Sequence, residues 1–247
     1  MKRISLLLAC GFGLSSSLYA ANAHEVDTLE IEAPVDKIYI PVNFDDNDNV
    51  EVVLQGKFPN SCYKIGQTEA QIDPLSKRVM VRATSYVSTQ ELCLQSIVPF
   101  IQTVKLGLLP EGHYEVVYEK NRDIKKSLAI ARRKTESADD FLYATVEKAF
   151  IDVNFETGKQ ALKLEGHFPY FFIGCMVIKE VRSTRTQDDI LLVQPIAEIV
   201  DNESCSEQRS DLSFEYTSGL PEPFIGQGLL HVRTMNGNSL NQFLNIP

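Results

Sequence analysis

The chain has 247 residues, contains no Trp, and sets 33 acidic against 24 basic residues for a formal net charge of −9. Nucleic acid and anionic membrane surfaces are gripped through Lys/Arg patches, so this balance points away from both. After residue 23 no stretch approaches the roughly 20 apolar residues a membrane-spanning helix needs.

The chain opens with Lys2 and Arg3, an apolar stretch from Ile4 to Leu18, and Ala21-Asn22-Ala23. A short positive start, an apolar centre and an A-x-A ending read as a secretory signal peptide over residues 1–23. A competing reading takes Leu7-Leu8-Ala9-Cys10 as a lipobox, with Cys10 acylated at the mature N-terminus. Cleavage after Ala23 removes Lys2 and Arg3 and no acid, which takes the charge to 22 − 33 = −11. Residues 24–32 then form a polar leader, and the mature protein is expected to be periplasmic or secreted.

Lys37–Phe44 (KIYIPVNF) returns as Lys148–Phe155 (KAFIDVNF), and seven of the twelve residues 33–44 are identical to their counterparts 111 positions on. Leu54–Pro59 matches Leu164–Pro169, Leu109-Pro110 matches Leu220-Pro221, and an alternating run starts at Gly112 and again at Gly228. A period this long marks whole domains rather than solenoid units. The polar stretch from Arg132 to Asp140 carries no apolar periodicity. The expected layout is one domain over 33–132, a linker over 133–143 and a second domain over 144–247.

In chain order, Ile38, Ile40, Val42 and Phe44 alternate with Lys37, Tyr39, Pro41 and Asn43, the pattern of a half-buried strand. Pro41 lacks an N–H and suits an edge position. Further strands are expected at 50–54, 78–84, 114–118 and 128–131, with 98–109 extended rather than helical. The second domain offers 161–164, 176–181, 190–193 and 229–233. Short strands separated by Gly, Pro, Asn and Asp, with no helix of three turns, indicate an all-β chain of two tandem β-sandwiches.

Export gives the cysteines a meaning. Cys62 and Cys93 lie 31 apart and Cys175 and Cys205 lie 30 apart, one pair per repeat, so each domain is expected to hold one disulfide. Zinc is the competing use, but none of the four sits in C-x₂-C spacing.

The run Leu108–Tyr118 (LLPEGHYEVVY) resembles the final-strand motif L-P-x-G-x-Y-x-V of bacterial immunoglobulin-like and fibronectin-like modules of envelope proteins. That resemblance implies tandem Ig-like sandwiches. The expected function, a separate reading, is binding or scaffolding through strand edges or loops, with a protein or other envelope component as partner. Pilus-assembly chaperones of the periplasm also pair two Ig-like domains at similar length, and they offer an alternative function.

Candidate chemistry is sparse. Cleavage after Ala23 would make His24 the first residue, offering an amine and an imidazole to copper with a second His from His113, His167 or His231. A copper carrier or copper oxygenase is thus a further alternative. Asp45, Asp46 and Asp48 place closely spaced oxygens in one loop, as Ca²⁺ requires, although a hydrated turn uses the same residues. Tyr170, Phe171, Phe172 and Ile173 precede Cys175 and form the candidate binding surface. No nucleophile, P-loop or dinucleotide motif occurs, and a non-enzymatic protein without a cofactor is expected.

Overall fold

A computed structural model describes residues 28–89, 92–170, 175–200, 212–220 and 222–247. The first half contributes β1 (Thr28–Glu32), β2 (Val35–Tyr39), β3 (Phe44–Asp45), β4 (Val50–Phe58), β5 (Tyr63–Asp73), β6 (Arg78–Ser88), β7 (Val98–Gly107), β8 (Gly112–Tyr118) and β9 (Lys125–Ala131). The second contributes β10 (Val146–Val153), β11 (Gln160–His167), β12 (Met176–Arg185), β13 (Ile190–Ile199), β14 (Ser213–Gly219), β15 (Gly226–Thr234) and β16 (Asn238–Ile246). No α-helix occurs among the described residues.

In the first half, β2-β4-β7 form one sheet and β1-β6-β8-β9-β3 another, with β5 on the far flank of β6. Val52, Leu54, Val79, Val81, Tyr114 and Leu128 fill the core between them. In the second half, β10-β11-β14 face β12-β13-β15-β16 across a separate core that includes Leu162, Leu164, Val193, Leu230 and Val232. Burial of each large apolar side chain is worth about 1.5–3 kcal/mol, so each half holds its own sandwich together.

Pairing recurs between the halves in detail. β6 and β8 run parallel, as do β13 and β15. A bulge falls between Val35 and Lys37 in one half and between Val146 and Lys148 in the other. Opposite each bulge is a glycine pressed by backbone. A Cβ on Gly56 would lie 2.0 Å from the Pro34 carbonyl oxygen, and one on Gly166 would lie 2.0 Å from that of Thr145. Rings stack beside both, Phe58 on Phe100 at 4.3 Å and Phe168 on Phe214 at 4.7 Å.

The register corrects the sequence alignment at one place. Glu115 N–H donates to the Lys77 carbonyl and Leu229 N–H to that of Asp189, while Gly112 and Gly226 both take positive φ. Gly112 therefore corresponds to Gly226, two residues before Gly228.

The repeated octets fold differently. Strand β2 stops at Tyr39, and the chain crosses through Pro41 to the opposite sheet, where Phe44 pairs in parallel with Ile130 of β9. Pro41 is thus a crossing point, not a residue of an edge strand, because it cannot donate the next ladder bond. Asp152 stands at the matching place, and β10 runs on to Val153 before a turn at Asn154–Lys159. Phe44 is 2% exposed, whereas its counterpart Phe155 is 88% exposed. Residues 28–32, expected as leader, form β1 and pair with Thr84–Ser88 of β6. Strands β5, β14 and β16 were not foreseen, and 98–107 is extended as expected.

Cys62 and Cys93 form a disulfide with Cα atoms 5.3 Å apart. Cys175 is also disulfide-bonded, while Cys205, with Cys10 and His24, lies outside the described residues.

Candidate functional site

The outer face of β2-β4-β7 packs on the outer face of β13-β15-β16. Tyr39, Val53 and Ile101 meet Ile190 and Leu229 there in an apolar centre joining the halves. Sequence alternation assigned Tyr39 to the solvent face. It is instead buried, its phenol donates to Gln55 Oε1 at 2.7 Å, and burial, reinforced by Asp189, pushes its pKa up to about 12.

Polar groups surround this centre. Arg233 Nη1 and Nη2 each lie 3.2 Å from one carboxylate oxygen of Asp48, Nη2 also donates to the Asn43 carbonyl, and the guanidinium covers Phe44. Glu51 accepts hydrogen bonds from Ser239 Oγ and, at 2.6 Å, from Asn241 Nδ2. Asn241 Oδ1 lies 2.8 Å from Nδ1 of His231, which is fully buried. Burial, aided by Arg233, pulls the His231 pKa down to about 4 despite Glu51 and Asn241, so the ring is neutral at pH 7 and Nδ1–H donates. Its Nε2 has no partner among the described residues.

The expected linker is pinned to both halves. Asn47 Nδ2 donates to the carbonyls of Thr135 and Ser137. Asp139 accepts from the N–H groups of Asn236 and Gly237, each at 2.8 Å. Asn236 and Gly237 have φ of 65° and 63°, the two left-handed positions of a tight hairpin between β15 and β16. The Asn-Gly dipeptide was the signal in the sequence that would have placed β16.

Along this junction β16 is the last strand of its sheet. It pairs with β15 over nine unbroken positions, Asn238 through Ile246, and with nothing else among the described strands. A cleft of about 340 Å³ borders its start, lined by Asn49, Glu51, Thr103, Lys105, Asn238 and Asn241.

The sequence-derived candidates fall elsewhere or into this junction. Asp48 is committed to Arg233, Asp45 Oδ1 accepts from Asn47 N–H, and Asp46 Oδ1 accepts from Arg133 N–H. Among the described residues no three His, Cys, Asp or Glu side chains converge on a possible metal position. His231 is enclosed, His167 Nδ1 lies 3.1 Å from Glu147, and His113 projects from β8, so the three are not gathered. Tyr170 is 76% exposed, and Phe171, Phe172 and Ile173 lie outside the described residues.

Fold and junction together define an all-β, disulfide-bearing protein of paired β-sandwiches, in which β16 ends its sheet beside the junction with no second partner strand among the described residues. The first sandwich is similar to the ORF11 beta-sandwich domain, whose family model matches residues 52–128, less than a third of the chain. No curated protein and no solved structure matches the chain.

Proposed function

We propose that the chain is an exported, non-enzymatic binding or scaffolding protein of the bacterial cell envelope, built from two copies of one domain. Its partner engages the free edge of β16. The observation that carries this reading is the nine-residue edge of β16, unpaired among the described residues and held on a body whose halves are locked together. An edge of that length presents a row of backbone donors and acceptors that an added strand satisfies. Support for export comes from the signal-type start, the disulfide, and the fact that no helix among the described residues is long and apolar enough to cross a membrane. Support for binding over turnover comes from the junction, where Asp48, Glu51, Asn241 and Arg233 are spent on one another and on Ser239 and His231 Nδ1.

A photo-reactive amino acid at position 242, on the β16 edge, tests this in cells. We expect a discrete adduct in the envelope fraction that does not form from position 163, on the outer face of β11, and a mature mass beginning at His24. No adduct beyond the position 163 control, or a product that keeps residues 1–23 in the cytosol, sinks the proposal.

A further inference from the structure

Resting on that reading, we infer the class of partner: an extended polypeptide segment that runs parallel to β16 and seats an aromatic ring opposite Ile246. The molecule carries its own precedent. Ile130 pairs with Gly112 and Ile246 with Gly226, so the two isoleucines hold the same place in their hairpins. In the first sandwich the crossing segment supplies Phe44 beside Ile130, in parallel, with Ile40 and Phe44 buried four residues apart. In the second sandwich Asp152 replaces Pro41, β10 continues to Val153, and Phe155 ends in solvent instead of on β16. The place filled by β3 in one half has no occupant among the described residues of the other.

The edge is also unguarded. Proteins protect exposed edges with charge, proline or bulges. Strand β9 carries Lys125 and Lys126, and at the matching places β16 carries Asn241 and Gln242. Every other edge strand among the described residues includes a charged side chain. The opposite edge of the same sheet, β12, has Lys179, Glu180, Arg182 and Arg185 together with a bulge. Strand β16, NSLNQFLNI, has neither charge nor bulge. The partner segment is therefore one that buries apolar side chains four residues apart on this edge, as Ile40 and Phe44 are buried in the first half. A second copy of the chain meeting β16 across a two-fold axis would pair antiparallel, contrary to the direction this seat takes in the first half.

The test uses the full chain and a synthetic peptide with the sequence of residues 39–46, YIPVNFDD. We expect saturable shifts in the backbone amide spectrum confined to β16 and its neighbours, and competition with the adduct formed from position 242. Phe44→Ala in the peptide should weaken binding about tenfold or more. Gln242→Lys in the protein, which copies Lys126 at an exposed position, should abolish binding while the spectrum stays dispersed. If position 242 captures a partner but the peptide does not bind or compete, this inference falls and the proposed function stands. If neither occurs, both fall. An adduct of the chain with itself assigns the edge to a second copy and overturns the inference.

Discussion

His231 has no contact with solvent, and the two charged groups facing it pull in opposite directions. Glu51 Oε1, 3.7 Å from Nδ1, favours the imidazolium, while Arg233 and the loss of water disfavour it. The folded-state pKa is thus lowered to about 4 from 6.5, and the sign of the linkage follows. The contribution is full above pH 6.5 and shrinks as pH falls, because the unfolded chain takes up a proton that the folded chain refuses. It is gone by about pH 4 and amounts to roughly 3 kcal/mol. Carboxylates titrate over the same range, so the measurement is a difference. Urea midpoints of the native chain and of His231→Gln should diverge least at pH 4 and most above pH 6.5. Parallel pH profiles would mean that the ring does not resist protonation.

At the scale of the strand, the bulge in each three-stranded sheet brings the chain against a glycine across the ladder. With 2.0 Å from a hypothetical Cβ to a carbonyl oxygen at both Gly56 and Gly166, neither site can accept a methyl group without moving backbone. Gly56→Ala and Gly166→Ala should each destabilise the protein by about 2–3 kcal/mol in denaturant unfolding, whereas Gly219→Ala, with open space around it, should not. Equal midpoints for all three would remove the close approach as the reason for glycine. These glycines sit in the Leu-x-Gly-x-Phe-Pro repeat that was legible in the sequence, as were the octets and the run after Leu109-Pro110. What those signals share is local patterning that survives in both halves. The junction was not legible because its outer faces mix Glu51 and Gln55 with Val53 on one side and His231 and Asn241 with Leu229 on the other. Polar residues satisfied by a distant sheet look like solvent-facing ones. The pairing of Asp48 in the Asp45–Asp48 loop was not legible for the same reason, since its partner Arg233 lies 185 residues away. Pro41 was visible, but its effect on β3 depends on an edge that only the folded sandwich presents.

At the scale of the whole chain, two sandwiches stacked through unlike faces raise the question of why stacking stops. The faces used are the outer side of β2-β4-β7 and the outer side of β13-β15-β16, and each has a counterpart left at an end. The central residues Tyr39, Val53, Ile101, Ile190 and Leu229 correspond to Phe150, Lys163, Glu215, Arg78 and Glu115. Four of these five counterparts are charged. Arg78 and Glu115 pair at 2.8 Å, where Ile190 and Leu229 lie side by side, and Lys163 pairs with Asp152 at 2.7 Å. A third layer would have to take those ion pairs out of water, and the desolvation penalty of several kcal/mol per ion can exceed what their mutual attraction returns. The same chemistry indicates how to open the junction. Val53→Lys places at its buried centre the residue that Lys163 supplies on the exposed face. The native chain should melt in one calorimetric transition, because unfolding either half exposes the apolar centre and strands Arg233 or Asp48. Val53→Lys should split the melt into two transitions while both sandwiches and the Cys62–Cys93 bridge persist. A single transition in the variant would show that the halves are coupled by something other than this face.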